Sequence, residues 1–323
     1  MDSATQLLLG AAVGYAVAGK TMGKKALLWG AAAGTLPDLD FIPTLPFNNA
    51  FIYLKIHRGF SHSLLFCLLP LLFIKKYATI AKIFFWGLFT HILLDCFTTW
   101  GTQVFWPFDY RVAWNTIFII DPLYTVPLLI TIILTSIQST HTQRRRSILI
   151  GLILSSLYLV WTLSIKGVMH YRFHALFKHH NIHITRMTTR PSAFNSILWS
   201  ATAETDTGYF YGMISLFDQT FQGPLYFVEK NHALSQTYQD PRSQTIIGYT
   251  KGYYRVETIK NGIRIHDLRY GFLANPWTHG EQYVFSYDLV ESTPNPITLY
   301  IHNPRPQNRS QLFTELWTRL KGI

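Results

Sequence analysis

Long apolar runs, separated by short basic clusters, make up the first half of this 323-residue chain. A bilayer core about 30 Å thick is crossed by a helix of about 20 apolar residues, so runs of this kind are typical of a membrane bundle. Several runs are shorter than a full span, and for those a tilted helix, or one buried behind longer helices, is an alternative. Apolar length and flanking charge predict about six helices, at about residues 4–19, 24–36, 62–74, 79–97, 117–138 and 147–169.

The first two predicted helices are dense in Gly and Ala. Small side chains let two helix backbones approach each other closely. We therefore expect residues 4–19 and 24–36 to pack against each other as a hairpin.

Most basic residues of this half fall in three clusters between apolar runs, and an excess of Lys and Arg is typical of cytoplasmic loops. Residues 37–61, residues 98–116 and everything after residue 170 then lie on the opposite side of the membrane. The net charge of +11 is explained without a polyanion, and no groove-reading or base-stacking motif accompanies it. We therefore expect membrane lipid, and no nucleic acid, as a partner. The three clusters are Lys20, Lys24 and Lys25; Lys75, Lys76 and Lys82; and Arg144, Arg145 and Arg146.

The second half is polar, aromatic and rich in turns, and its short runs alternate apolar with polar residues. Such alternation predicts antiparallel strands, and Asn261-Gly262 between two of these runs is a strong hairpin signal. The predicted fold is an α-helical polytopic membrane domain over residues 1–170, followed by an antiparallel β-rich extramembrane domain over residues 171–323. We expect strands at Ile197–Glu204, Tyr209–Leu216, Leu225–Val228, Thr245–Tyr249, Tyr253–Ile259, Ile263–Asp267 and Tyr283–Val290, with a closing helix at Gln311–Leu320.

His91 and Asp95 lie four residues apart in an apolar helical segment. At that spacing both side chains share one helix face and can meet on a common ligand. Ionisable groups inside a membrane segment are costly and usually functional. The alternative is a His–Asp pair that only ties helices together.

His57 and His62 flank Gly59, whose backbone freedom allows a turn that aims both imidazoles one way. Asp38 and Asp40 point alternately in an extended chain, so a shared site could receive only one of them. The alternatives are interfacial or helix-capping roles for these histidines, and a capping turn for the Pro-Asp-x-Asp segment.

Under the orientation above, seven ionisable side chains fall at one membrane face. Imidazoles with carboxylates suit zinc or another divalent hydrolytic metal, and bridging carboxylates favour two metals. The cysteines, Cys67 and Cys96, lie in apolar runs, so a cysteine-type zinc site is not expected. The predicted metal ligands are Asp38, Asp40, His57, His62, His91, Asp95 and Asp121.

Several motifs together resemble the YdjM/YfhP-like family of membrane-bound metal-dependent hydrolases. The motifs are Met1-Asp2-Ser3-Ala4-Thr5, Pro37-Asp38-Leu39-Asp40, His57-Arg58-Gly59-Phe60-Ser61-His62-Ser63, His91-x-x-x-Asp95, Gly101-Thr102-Gln103, Trp106-Pro107-Phe108 and Asp121-Pro122. The resemblance implies an integral protein of the bacterial cytoplasmic membrane and a zinc-type hydrolase, distantly similar to phospholipase C and nucleases, with a phosphoester substrate. The family usually has His where this chain has Gln6, and a Gln amide is a much poorer zinc ligand than imidazole.

The expected reaction is attack of a metal-activated water on phosphorus, with zinc, or alternatively manganese, as the metal. Asp40 and Arg58 are the expected catalytic residues, a carboxylate base and a phosphate-holding guanidinium, and Arg111 is the second candidate for the phosphate. The alternative for each arginine is an anchor at the lipid headgroups. The alternative for the whole chain is a non-catalytic membrane scaffold or partner-binding protein whose His/Asp cluster is structural.

Five histidines between His170 and His183 raise the question of a second metal site. Because Lys and Arg residues alternate with them, we interpret the segment as a basic helix at the headgroup layer.

Overall fold

Two glycine-rich helices, α1 (Ser3–Met22) and α2 (Lys25–Thr35), pack as the predicted hairpin. A Cβ atom built on Gly14 would lie 2.5 Å from the Ala26 carbonyl oxygen, and one on Gly34 would lie 2.5 Å from the Gln6 carbonyl oxygen. No side chain larger than hydrogen fits at these crossings, which is why glycine recurs on both helices. The structure is a computed structural model that describes residues 1–47, 50–220, 223–237, 241–290, 298–302 and 309–322.

Helices α5 (Ile74–Cys96) and α6 (Pro122–Ile137) pack against this hairpin. A 3₁₀ segment (Leu36–Phe47) follows α2, and two short 3₁₀ turns lie at Phe60–His62 and Leu69–Phe73. Helix α5 crosses both α1 and α2, and Gly87 of α5 lies against Ala33 of α2. The helices are α3 (Ala50–Ile56), α4 (Leu64–Leu68), α5 (Ile74–Cys96), α6 (Pro122–Ile137) and α7 (His141–His179).

Five of the six predicted helices correspond to observed ones, with shifted ends. The prediction at 62–74 differs, because only Leu64–Leu68 is α-helical there and the chain then tightens into the 3₁₀ turn that contains Pro70. In the described residues, two helical stretches are long and apolar enough to cross a membrane, Leu64–Cys96 and His141–His179, and Pro122–Ile137 is a shorter apolar helix. Six membrane helices were predicted, and the described residues contain two candidate spans.

Large apolar side chains point outward on these helices. Leu157 and Val160 of α7 are about 60% exposed, and seven apolar side chains along α6 are 39–74% exposed. A hydrophobic outer surface of this extent is unusual on a soluble protein and matches a surface that faces lipid.

The second half is built from two four-stranded antiparallel sheets. The first has the order β1 (Arg186–Pro191), β2 (Leu198–Glu204), β3 (Gly208–Ser215) and β4 (Leu225–Glu229). The second has the order β5 (Tyr254–Ile259), β6 (Gly262–Asp267), β7 (Ser286–Val290) and β8 (Thr298–His302). The helices of this half are α8 (Ala233–Thr237), α9 (Pro241–Tyr249), α10 (Pro276–His279) and α11 (Arg309–Leu320).

Most predicted strands and the closing helix are observed with small shifts, and β5 and β6 form the predicted hairpin, in which Ile259 pairs with Gly262. The strand predicted at Thr245–Tyr249 is wrong, because these residues are the end of helix α9. Short apolar runs do not distinguish strand from helix by periodicity, and Pro241 suits the first position of a helix. Strands β1 and β8 were not predicted.

The chain divides into two compact units within α7. The first contains residues 1–48, 52–165 and 193–196, and the second contains 49–51, 166–192 and 197–323. Inside the second unit, Phe173, Leu176 and Phe177 of α7 are fully buried.

Candidate metal centre

Four side-chain atoms of the first unit converge on one point: Asp38 Oδ1, His62 Nε2, His91 Nε2 and Asp95 Oδ2, all within 4.8 Å of one another. The two imidazole nitrogens are 3.1 Å apart. His62 Nε2 lies 3.4 Å from each of the two carboxylate oxygens, and His91 Nε2 lies 3.6 Å from each. We call these four residues the metal centre.

The spacing of these donors corresponds to a coordination shell. In a tetrahedral site with metal–ligand bonds of about 2.0–2.2 Å, neighbouring donors lie about 3.3–3.6 Å apart. Five of the six donor separations, at 3.1–3.6 Å, lie close to that interval, and the two carboxylate oxygens lie within 4.8 Å of each other. The four atoms together can therefore hold a single divalent ion.

Three separate segments bring the ligands together. Helix α5 supplies His91 and Asp95 one turn apart, on the face that packs against α1 and α2. The 3₁₀ segment after α2 supplies Asp38, and the turn before α4 supplies His62.

His91 is oriented by the end of helix α2. Its Nδ1 lies 2.7 Å from the Gly34 carbonyl oxygen, and Gly34 is in the last turn of α2, where carbonyls have no partner inside the helix. A carbonyl only accepts, so Nδ1 carries the proton and Nε2 of the neutral ring presents a lone pair to the centre. A backbone carbonyl in this position is a common support for a metal-bound histidine.

His62 is oriented by Ser61 and Asp40. Its Nδ1 lies 2.9 Å from Ser61 Oγ, and Ser61 Oγ donates to Asp40 Oδ2 at 2.8 Å. The serine oxygen is thus left to accept the Nδ1 proton, and His62 Nε2 faces the centre, where it presents a lone pair when the ring is neutral. A cation at this point would interact with the two Nε2 atoms and the two carboxylate oxygens together.

Asp40 organises the turn that carries His62. Its carboxylate accepts from His57 Nδ1 at 2.8 Å, from the Arg58 backbone N–H at 2.9 Å and from Ser61. Arg58 has a φ of 59°, a left-handed conformation that costs a non-glycine residue about 1–2 kcal/mol. The hydrogen bond from the Arg58 N–H to Asp40 helps to hold that conformation.

The two oxygens of Asp95 have different surroundings. Oδ1 accepts from the Met1 amino group and from Gln6 Nε2 at 3.1 Å, and forms an ion pair with Arg58 Nη2 at 3.3 Å. Oδ2, like Asp38 Oδ2, is buried and accepts no hydrogen bond from the described residues. A buried carboxylate oxygen without a donor is costly, and a cation at the centre would satisfy Asp95 Oδ2.

The charges around the centre favour a cation. Burial alone would raise the pKa of Asp38, but the imidazoles of His62 and His91 outweigh it and hold that pKa well below its usual range. Burial lowers the pKa of His62, while Asp38, Asp40 and Asp95 raise it more, to about 9. The raised pKa of His62 shows that the surrounding carboxylates favour positive charge at this point, while Arg58 and the Met1 amino group balance part of the charge of Asp95.

The other predicted ligands lie outside the four-atom group. Asp40 and His57 bind each other, with the His57 ring 6.0 Å from the His62 ring. Asp121 caps α6 through the Leu123 N–H and accepts from Tyr158 Oη at 2.7 Å. In the described part of the chain, the donors thus form one centre rather than two bridged ones.

The two arginines expected to bind phosphate are both buried. Arg58 contacts Asp95 and donates to Thr98 Oγ1 at 3.0 Å, and its Nε is buried without a hydrogen-bond partner. Arg111 donates to the carbonyl oxygen of His57 at 3.1 Å and so supports the turn.

Sequence reasoning missed two supporting groups. Nothing in the sequence marks the Gly34 carbonyl, because any residue would supply one. Ser61 directly precedes His62, and its hydroxyl could have been predicted as a hydrogen-bond partner of that histidine. Gln6, expected as a weakened or indirect ligand position, contacts Asp95 and the His91 carbonyl oxygen through its Nε2 and is not one of the four converging donors.

His170 and His174 of α7 also approach each other, with their Nε2 atoms 3.2 Å apart. Both rings are exposed, and no carboxylate or thiolate in the described residues joins them in a group of three donors.

Comparison with known proteins agrees with the motifs around this centre. The protein YfhP of Bacillus subtilis (strain 168), described as uncharacterized, is 31% identical over 140 residues, which are 38% of this chain and 42% of YfhP. The chain thus matches about two fifths of the length of this curated relative. No solved structure matches the chain significantly. The family described as YdjM inner membrane protein matches residues 1–169, more than half of the 323 residues and all four residues of the metal centre. The chain therefore belongs to the YdjM inner membrane protein family.

Proposed function

We propose that the chain is a membrane-bound, metal-dependent hydrolase of phosphoester or lipid-headgroup bonds, with zinc, or alternatively manganese, at Asp38, His62, His91 and Asp95. The observation that carries this proposal is the convergence of two imidazole nitrogens and two carboxylate oxygens within 4.8 Å of one another. Imidazole with carboxylate suits the divalent ions used in hydrolysis. A divalent ion at this point would supply an activated water and balance charge on phosphate oxygens.

Access to the centre is on the Asp38 side. The Asp38 side chain is 15% exposed, whereas those of His62, His91 and Asp95 are fully buried. A substrate would therefore approach the centre past Asp38.

The surrounding residues have distinct proposed roles. Asp40 is a positioning residue, since it acts on His62 through Ser61 and binds His57 directly. His57, 17% exposed and held by Asp40, fits the role of proton acceptor that sequence reasoning gave to a carboxylate. The Arg58 Nε–H is a donor that the described residues leave for a phosphate oxygen.

A lipid substrate suits the surface beside the centre. Gln103 donates its backbone N–H to the Arg58 carbonyl oxygen, and the loop that follows exposes Phe105, Phe108 and Tyr110 by 54–72%. Exposed aromatic side chains are typical of the membrane–water interface. Together with the basic loops, this supports a centre at the outer face of the inner membrane, with the second unit outside the cytoplasm.

A structural role for the metal is the second candidate. Four protein ligands complete a tetrahedral shell, and closed shells are typical of structural zinc sites. In that case the chain is a membrane scaffold or partner-binding protein, and the metal only joins α5 to the segments that carry Asp38 and His62.

Hydrolysis by the purified protein in phospholipid vesicles tests the proposal. The substrates are the vesicle lipid itself and a generic phosphodiester, each with added zinc or manganese. We expect turnover by the wild type and a loss of at least about a hundredfold in His62→Ala, because a metal ligand is removed. His174→Ala, which removes an exposed histidine outside the centre, is the matched control and should keep full activity.

Background turnover in wild type and His62→Ala alike would refute the hydrolase proposal for this chain. Gln6→His should be assayed beside them, because it restores the side chain usual in the family. Activity in Gln6→His alone would show that this chain had lost a ligand needed for catalysis.

A further inference from the structure

An apolar groove of 440 Å³ opens along helix α5 in the first unit. Apart from the hydroxyl of Tyr77, all its lining side chains are hydrocarbon. They come from the end of α2, from the α4 region and from one face of α5, and include Leu36, Phe66, Phe73, Ile80, Phe84 and Leu88. The volume lies in the range of pockets that bind small molecules.

One end of the groove adjoins the metal centre. Leu36 is two residues before Asp38, and Leu88 is one helical turn before His91. Phe66 follows His62 by four residues. The same segments thus line the groove and supply the ligands, and Asp38, next to Leu36, is the partly exposed ligand.

The length of the groove corresponds to one lipid leaflet. Along α5 its lining extends from Tyr77 to Leu88, about 16 Å at 1.5 Å per residue. Half of a hydrocarbon core about 30 Å thick is about 15 Å.

We propose that the groove binds one acyl chain of a phospholipid whose phosphate headgroup reaches the metal centre. This inference rests on the proposed function and narrows its substrate class from phosphoesters in general to phospholipids with an acyl chain. The polar headgroup would lie at the Asp38 end, beside the metal centre. The hydrocarbon chain would lie against the apolar side chains along α5.

Photocrosslinking tests the occupant of the groove without any need for catalysis. The wild-type protein is placed in vesicles of phosphatidylethanolamine and phosphatidylglycerol that contain a phospholipid with a diazirine on its acyl chain. After illumination, mass spectrometry should find adducts on Ile80 and Phe84 at least fivefold above those on Leu157 and Val160, which are exposed on α7. Equal labelling at all four positions would show bulk lipid contact, and a protein adduct in place of lipid would show a protein partner; either result overturns the proposal.

A groove-filling substitution tests the link to hydrolysis. Ile80→Trp should lower the crosslink yield in the groove severalfold and raise KM for a long-chain phospholipid about tenfold, with KM for a short-chain soluble phosphodiester unchanged. Val160→Trp adds the same side chain on the outer face of α7 and should change neither.

The crosslinking and the kinetic measurements distinguish failure of the acyl-chain site from failure of the hydrolase proposal. Selective groove labelling without turnover of either substrate would keep the acyl-chain site and remove the hydrolase proposal. Turnover with an equal response of both substrates to Ile80→Trp would keep the hydrolase and remove the acyl-chain site. If Ile80→Trp does not fold, the wild-type labelling pattern decides alone.

Discussion

The histidines of the metal centre hold their orientation through partners that are independent of any ion. Gly34 fixes His91 through a carbonyl oxygen, and Ser61 with Asp40 fixes His62. Both lone pairs are therefore directed before an ion binds, which lowers the cost of ordering on binding. Such second partners commonly tune metal affinity by about 10–100-fold.

Asp40 and Asp121 allow this support to be measured with one kind of substitution. Asp40→Asn removes the carboxylate behind His62 and should lower zinc affinity about 10–100-fold, because the Ser61–His62 contact loses its acceptor charge. Asp121→Asn should leave the affinity unchanged, since Asp121 caps α6 and Asn is also a good capping residue. Zinc titration of the purified proteins in detergent against a chelating dye measures both. An equal loss of zinc affinity in both variants would indicate that Asp121 also supports the centre. Unchanged zinc affinity in both variants would contradict the role assigned to Asp40.

Individual ligands were predictable from the sequence to different degrees. His91 and Asp95 followed from helical spacing alone, because a helix fixes which side chains share a face. The sequence did not indicate that Asp38 rather than Asp40, and His62 rather than His57, would belong to the group of four converging donors. Their selection depends on a 3₁₀ segment and on the left-handed Arg58, which contacts with distant parts of the chain hold in place.

At the scale of helices, the contact between α1 and α2 positions the acceptor for His91. Gly34 both touches the Gln6 backbone and supplies its carbonyl oxygen to the ring. Separation of the two helices would therefore disturb the centre as well as the packing.

Gly30→Ala tests this coupling. A Cβ at Gly30 would collide with the Gly10 carbonyl oxygen and lie 2.8 Å from Gly14 Cα, and overpacking of this kind costs about 1–3 kcal/mol. We expect a lower thermal midpoint in detergent, followed by circular dichroism at 222 nm, together with weaker zinc binding. Gly167→Ala on α7 is the control, because no atom lies within 4 Å of its Cβ position and Ala favours helix by up to about 1 kcal/mol. A Gly30→Ala protein as stable as Gly167→Ala would contradict the close packing.

Helix and strand prediction succeeded where composition or alternation was distinctive and failed where a short apolar run suited both. The hairpin of α1 and α2 followed from small residues, and the sheet of β2 to β4 followed from alternation between turn signals. The break after Leu68 and the helical end of α9 did not follow, because periodicity does not distinguish helix from strand in such short apolar runs.

At the scale of the whole molecule, the basic loops predict which side of the membrane holds the centre. Lys75, Lys76 and Lys82 lie in the first part of α5, which is kinked at Tyr77, and Asp95 lies in its last turn. The positive-inside rule then predicts that the centre lies on the outer side.

Reporter fusions at the C-terminus measure that orientation. A reporter active only in the cytoplasm should stay silent there, and one active only outside should give signal. A control fusion of each reporter in the loop near Lys76 should give the reverse pattern. A bright cytoplasmic reporter at the C-terminus would invert the orientation and place the centre at the inner surface.

The ligands also come from positions far apart along the chain: Asp38, His62 and His91. An ion bound to all of them closes two covalent loops of about 25–30 residues, as a pair of cross-links would, and each closure removes about 3 kcal/mol of chain entropy from the unfolded state in the loop-entropy treatment. Removal of the ion by a chelator would then lower the free energy of unfolding, whether or not the protein is an enzyme. Faster proteolysis of the segments between these residues after chelation would be the expected sign of opened loops, and it would say nothing about catalysis.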